Sequence, residues 1–413
     1  MCIRDSHHTN GVQNTRALTA LIGLTGNYDQ LGGNRVILPQ WLENCNLIPT
    51  RSRLFEQVRS WHDLPPRIGI SKYPVWCDLV PQAQAMELPH QIRSKTPYPI
   101  RSVIGFGLNH RMWPGSDFMA DSLKMLDFLV TVDLFMTDTG KLSDLILPAC
   151  SSFERSELKF YVENFVVWTE PVIKPLGESR PDSDILFELA KRLNPDDELM
   201  SRGYEACLNW ILEPSGMSID QLREYPTGYA YPKPVPPPFK QYEQNGFPTP
   251  SGKMEFTSLR LQEASLDALP VFREPVLSPV SAPEVARDFP LILTTGARLP
   301  MFVHSRTFRM NWTKRLRPAP LVDMNPRDAA ERGIVAGDWV DLSTPRNTIR
   351  VKANLTEIVA PGVANMYHAY PDADVNLLIA PDYLDPISGF PGFKSLLCQI
   401  KKANSEHVKK ERS

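Results

Sequence analysis

The chain has 413 residues, of which 42% are hydrophobic and 22% charged, and its formal net charge is −2. Such a length predicts two or three domains, and the near-neutral balance argues against a nucleic-acid partner. No apolar run approaches the roughly 18 residues that a spanning helix needs, so direct membrane insertion is not expected.

Residues 1–6 (MCIRDS) lack the apolar stretch of a signal peptide and read as an adapter or gene-edge remnant ahead of in-frame sequence. The compartment, cytoplasmic or periplasmic, is left open. The six cysteines, Cys2, Cys45, Cys77, Cys150, Cys207 and Cys398, include no C-x-x-C pair. Clusters need thiolates at short spacing, so these residues read as buried or incidental thiols, and no metal site is expected within the chain.

In chain order, residues 10–25 predict a helix with Ala17, Leu18, Leu21, Ile22 and Leu24 as its apolar stripe and Gly26 as its stop. An irregular stretch continues to about Pro99. Residues 101–106 predict a buried strand, 116–126 a helix, 128–132 a second strand ending at Asp133, and 145–148 a third. Strands alternating with helices at this pitch indicate a parallel, doubly wound sheet. Ligands of such sheets sit at the carboxyl ends of the strands, where Asn109 and Asp133 fall.

Residues 183–193 and 202–212 predict helices, with Ser183 and Asp184 at the start of the first. The proline-rich stretch 226–250 reads as a linker. From Phe289 the pattern changes. A strand at 291–294 leads to the Thr295-Gly296 turn, Asn325 and Pro326 open a helix that Gly333 ends, and short β segments follow at 339–342, 348–355 and 362–366. That pattern predicts a small β-barrel domain.

Six segments, in order and spanning nearly the whole chain, resemble the molybdopterin oxidoreductases of the dimethyl sulfoxide reductase type. They are HHTNGVQNTRALTALIGLTGNYDQLGGN, VDLFMTDTGKLSDLILPACSSFER, TPSGKMEF, TTGARLPMFVHSRT, VDMNPRDAAERGIVAGDWVDLSTPRNTIRVKA and DVNLLIAPDYLDPISGFPGFKSLLCQIKK. The first and last look most like the branch around acetylene hydratase and related anaerobic dehydrogenases. The resemblance implies an incomplete doubly wound α/β domain over 7–240, a connection over 241–288, and a dinucleotide-binding double-psi-like barrel over 289–402.

The resemblance also implies a molybdenum or tungsten bis(molybdopterin guanine dinucleotide) cofactor serving oxygen-atom or two-electron transfer on a small-molecule substrate. An iron–sulfur electron-transfer subunit is an implied partner. The family's 4Fe-4S cysteines and its metal-ligating segment have no counterpart after His7. The expectation is therefore a C-terminal part that is inactive alone, with the 4Fe-4S cluster and the metal ligand belonging to a longer protein. A hydratase of the same family and a non-catalytic structural homologue in a respiratory complex are the rival readings.

Residue by residue, the resemblance assigns Asp133 to guanine, whose N1–H and N2–H edge a carboxylate can accept. The rival for Asp133 is a turn cap. Asn109 and Asp184 are assigned toward the nucleotide, with a loop Asn and a helix N-cap as rivals. Arg155 is assigned near the cofactor, against a solvated ion pair. Thr295, Gly296, Arg298, His304 and Ser305 are assigned to a pterin-contact loop, where glycine permits close approach. His7 and His8 are assigned as a pair beside the pterin, and His368, Asn376 and Lys394 as late contacts from the barrel.

Overall fold

The computed structural model describes residues 7–35, 65–80, 82–161, 165–230, 238–297, 299–368 and 370–404. Arg298, the centre of the proline-rich stretch (231–237) and the end of the basic tail lie outside these residues, as does the His304 side chain.

The first helix, α1 (Gly11–Leu24), ends at Gly26, which takes a φ of +67°. Its expected apolar stripe does not face a core. Leu18, Leu21 and Leu24 are 49%, 57% and 72% exposed, whereas Gly11 and Gln13 are the buried positions. Polar contacts from the other side of the helix orient it instead. Arg16 donates to the carbonyls of Phe256 and Ala268 at 3.1 and 2.6 Å, Gln13 donates to that of Asp267 at 2.9 Å, and the Val12 N–H donates to Asp385 at 3.1 Å. The helix thus lies against the 256–268 segment and a loop of the C-terminal region.

After α2 (Leu88–Ser94), the α/β grammar appears as expected: β1 (Ser102–Phe106), α3 (Ser116–Leu123), β2 (Phe128–Asp133) and β3 (Leu145–Pro148). The strands form a parallel sheet in the order β1-β2-β3. Ile92 of α2 and Met119 and Leu123 of α3 pack with Leu129 on one face of the sheet. On the other face Ile104, Phe128 and Leu145 are each more than 40% exposed, although parallel sheets are normally covered on both sides.

Sequence reading passed over the next unit. β4 (Glu157–Tyr161) and β5 (Phe165–Thr169) pair antiparallel. Val166 and Trp168 of β5 alternate inward, as a half-buried strand requires. Helices α4 (Asp182–Leu193), α5 (Tyr204–Leu212) and α6 (Ile219–Arg223) follow, and β6 (Tyr229–Ala230) adds to β5. Leu208 and Leu212 of α5 and Ile219 and Leu222 of α6 close a second core around Val166 and Trp168.

The C-terminal region is the expected barrel. Its elements are β7 (Leu291–Thr294), β8 (Leu321–Met324), α7 (Pro326–Glu331), β9 (Trp339–Ser343), β10 (Thr348–Leu355), β11 (Val363–Met366) and β12 (Leu396–Lys402). The strands close in the order β10-β8-β11-β7-β12-β9. Alternate residues such as Leu291 and Leu293, Val340 and Leu342, and Cys398 and Ile400 fill the interior, as period-two strands in a small barrel must. Asn325 caps α7 by accepting from the Arg327 N–H at 3.0 Å, and Pro326 stands first in the helix.

Candidate cofactor-binding site

A cavity of about 720 Å³ opens where the loop after β1 meets the barrel. Five of the residues singled out from sequence line it: His7, Gly296, His368, Asn376 and Lys394. They come from separate stretches of chain, and the barrel's connections bring them together. Beside the cavity, the turn after β7 is fixed by the Thr295 N–H, which donates to the Phe393 carbonyl at 2.8 Å. Thr295 is fully buried, and its Oγ1 has no protein partner. A buried hydroxyl left unpaired is costly unless a ligand completes it. Gly296 adopts a φ of +76°, and a Cβ there would stand 2.8 Å from the Phe393 Cβ. The turn therefore demands glycine on both conformational and steric grounds.

His7 stacks on Phe390, with ring centroids 4.8 Å apart. Its Nδ1 is buried without a partner. Burial, reinforced by Lys394 and His8, lowers its pKa to about 4, so the imidazole is neutral at pH 7. The Lys394 N–H donates to the His7 carbonyl at 3.1 Å, and His8 Nδ1 is hydrogen-bonded to Ser395 Oγ at 2.6 Å. These contacts tie the N-terminal histidines to the start of β12. His368 is only 5% exposed. Asn376 is buried and donates from Nδ2 to the Arg111 carbonyl at 2.6 Å.

A narrow cleft adjoins the cavity through Met112, which lines both. Here two predicted residues meet, since Asn109 Nδ2 donates to Ser305 Oγ at 2.8 Å. Asn109 Oδ1 also accepts the Arg111 N–H at 3.1 Å, and Ser305 sits at a φ of 94°. Arg111 pairs with Asp138 at 2.8 Å and Asp374 at 3.5 Å, so this cleft joins the parallel sheet unit to the barrel.

A third group lies at the carboxyl end of β2 and lines neither space. Asp133 Oδ1 accepts the following Leu134 N–H at 2.7 Å, a contact with its own chain neighbour. Arg155 is held by Glu157 and by Asp182 at 3.6 Å, so the ion-pair arrangement is present there. Asp184 is exposed in the first turn of α4, whereas the Asp182 side chain in the same turn is 40% exposed with one oxygen enclosed. Asp182 Oδ1 is buried and unpartnered, and burial raises its pKa, with Asp133 adding repulsion against the partly offsetting Arg155. The resemblance assigned Asp184, while its position at the helix start favoured an N-cap. The distinction lies in which way each carboxylate faces at the helix start, which a sequence does not display.

Sequence reading also missed the cavity's apolar wall of Met86, Met112, Trp113, Phe390 and Phe393. The aromatic GFPGF run was the available signal for the last two. Among the described residues no group of three or more His, Cys, Asp or Glu is placed to hold a metal ion. Among them, too, no helix is long and apolar enough to cross a membrane. The polar groups at the cavity are instead a buried hydroxyl, a glycine turn, a lysine, an asparagine, His368 and the neutral His7 imidazole.

Comparison with known proteins agrees with this chemistry. The family described as molybdopterin oxidoreductase matches residues 6–192, and the molydopterin dinucleotide binding domain matches residues 291–397. Dopamine dehydroxylase of Eggerthella lenta is 25% identical, over 97% of this chain and 48% of that protein. Acetylene hydratase of Syntrophotalea acetylenica is 28% identical, over 62% of this chain and 35% of that protein. The solved structure of acetylene hydratase from Pelobacter acetylenicus superposes with a TM-score of 0.71 at 22% identity, over 82% of this chain and 52% of that one, a likeness of fold. The chain spans about half the length of the first of these relatives and of that solved structure, and about a third of the curated hydratase. With both family domains present in order around this cavity, the chain belongs to the molybdopterin oxidoreductase family.

Proposed function

We propose that the chain is the cofactor-holding part of a molybdenum or tungsten enzyme that carries bis(molybdopterin guanine dinucleotide). The observation that carries this reading is the convergence of His7, Gly296, His368, Asn376 and Lys394 on one cavity beside the orphaned Thr295 hydroxyl. When bound, the cofactor supplies metal-centred oxygen-atom or two-electron transfer. This chain's residues hold and orient it. Thr295 Oγ1 donates to a pterin or phosphate oxygen, the Gly296 turn admits the ligand to the backbone, and Lys394 balances phosphate charge. Neutral His7 offers a ring nitrogen without adding a cation. At the end of β2, Asp133 Oδ2 and Asp182 Oδ1 accept the two N–H groups of a guanine edge, while Arg155 limits the repulsion between the two acids.

In this proposal the metal's protein ligand, the 4Fe-4S cluster and the cover for the exposed Ile104, Phe128 and Leu145 of the parallel sheet come from further polypeptide of the family's usual length. The 413-residue chain alone then shows no turnover. An iron–sulfur electron-transfer subunit is the proposed redox partner of the whole enzyme. The likeness to acetylene hydratase supports a second reading, in which the complete site adds water without net electron transfer. The test is anaerobic, molybdate- or tungstate-replete expression of the chain. Bound metal, pterin and guanine are measured beside dye-linked reduction and acetylene hydration. Pterin and guanine retained without turnover are expected. Turnover of either reaction by the chain alone refutes the shared catalytic site, and absence of both pterin and guanine refutes the cofactor assignment.

A further inference from the structure

Trp113 stands in the loop between β1 and α3 and lines the 720 Å³ cavity together with Met86, Met112 and Phe390. Its polar groups are already engaged. The indole Nε1 donates to the Ala85 carbonyl at 3.1 Å, and the backbone N–H donates to the His110 carbonyl at 3.1 Å. The loop is also clamped on both sides of the indole. Before it, the Arg111 carbonyl accepts from Asn376 Nδ2 at 2.6 Å. After it, the Gly115 N–H donates to the Asn376 carbonyl at 2.9 Å, and Ser116 Oγ donates to Asp374 at 2.5 Å. A Cβ on Gly115 would stand 3.1 Å from Pro381, so this loop and the barrel are in close contact. The indole is thus a fixed, half-buried ring that packs against the Ile92–Met119–Leu123–Leu129 cluster and turns its cavity side, not its N–H, to a ligand. Such preorganisation lowers the cost of binding.

We propose that Trp113 is a stacking platform for a flat aromatic or heteroaromatic ring bound in this cavity. The thioethers of Met86 and Met112 adapt to the edge of such a ring. The His7–Phe390 pair supplies a second aromatic wall that brings no positive charge at neutral pH. A volume of about 720 Å³ accommodates a fused ring with substituents. Lys394 and Asn376 are placed to take polar substituents. Two ligands share this chemistry, the pterin ring of a cofactor and an aromatic substrate. The inference rests on the cofactor reading for the first of them alone.

The experiment is equilibrium dialysis of the 413-residue chain, and of its Trp113→Phe and Trp113→Leu variants, against pterin (2-amino-4-hydroxypteridine) and, separately, catechol. Circular dichroism establishes that each variant folds. Trp113→Phe keeps a ring and is expected to bind within about twofold of the parent. Trp113→Leu keeps bulk without a ring and is expected to bind about two- to tenfold more weakly, the range of aromatic pair effects. Binding of pterin alone assigns the platform to the cofactor. Binding of catechol alone assigns it to substrate, and supports the platform even where retention of pterin and guanine has failed. Failure of the parent to bind either ring, or affinity indifferent to Trp113→Leu, overturns the proposal. If Trp113→Leu does not fold, stacking is read from indole fluorescence that the bound ring quenches in the parent and not in Trp113→Phe, which lacks this one of the eight indoles. A parent whose fluorescence is not quenched by saturating ring is then the overturning result.

Discussion

Replacing Gly296 by alanine separates two costs that the turn after β7 combines. The backbone stands at a φ of +76°, where an L side chain costs about 1–2 kcal/mol. The new Cβ also falls 2.8 Å from Phe393 Cβ and 2.9 Å from its Cγ. Displacing that ring is overpacking, with a cost of about 1–3 kcal/mol. The sum is about 2–5 kcal/mol. Gly362 supplies the control in the same barrel, because it has a φ of +81° but nothing within 4 Å of an added methyl group. Gly362→Ala should lose the conformational part alone, about 1–2 kcal/mol. Urea unfolding of both variants, followed by fluorescence, gives the difference. A Gly296→Ala/Phe393→Ala double mutant should recover much of the excess, as a favourable coupling of about 1–3 kcal/mol. Equal losses at Gly296 and Gly362, or no coupling to Phe393, would refute the steric account of this turn.

Other outcomes follow from the cleft between the sheet unit and the barrel. Asp374 accepts from Ser116 at 2.5 Å and from the Asn376 N–H at 3.0 Å and pairs with Arg111. Asp374→Ala should therefore lose about 2–4 kcal/mol in urea unfolding, and a loss below about 0.5 kcal/mol would contradict the role given to it. His110 is held neutral, its pKa lowered to about 4 by burial and by Arg111, against the opposing charge of Asp138. Thr139 Oγ1 accepts the His110 backbone N–H at 3.1 Å and is hydrogen-bonded to its Nδ1 at 3.0 Å, which holds the ring in place. The unfolded chain then binds this proton more readily between pH 6.5 and 4. Stability from this group is complete above pH 6.5 and falls as pH drops through that window, by about 2 kcal/mol after allowance for screening. His110→Gln should flatten the pH dependence of the urea midpoint by that amount, and an unchanged slope would count against it. Asp133→Ala should weaken guanine-nucleotide binding about ten- to a hundredfold while the exposed Asp184→Ala leaves it within about twofold; the reverse order would return the role to Asp184.

Periodicity made the parallel strands and the barrel legible. Phe128–Asp133 is bounded by turn residues, and Trp339–Ser343 alternates cleanly. The Asn325-Pro326 helix start was legible for a local reason, since capping needs few neighbours. Tertiary context decided what the sequence concealed. Leu18, Leu21 and Leu24 form a stripe with helical spacing, yet Gln13 and Arg16 orient the helix through carbonyls 240 to 254 residues away. The β4–β5 hairpin was passed over because Glu157–Tyr161 mixes charged and apolar residues. In the site, the resemblance picked out residues by type and order and so found both members of the Asn109–Ser305 contact. It did not find Trp113, whose part in the cavity depends on a loop clamped against the barrel. Nor did it single out Asp182, whose Oδ1 is enclosed beside Arg155.

The central claim is that this chain grips a guanine-bearing pterin dinucleotide. The most direct measurement is saturation-transfer NMR of the 413-residue chain with GMP and AMP in competition, repeated with Asp133→Ala. The account predicts transfer to the guanine ring in preference to adenine, lost in the variant, because two carboxylate oxygens at the end of β2 meet two N–H donors that adenine does not present together. Equal transfer to both nucleotides, or guanine binding untouched by Asp133→Ala, would contradict it.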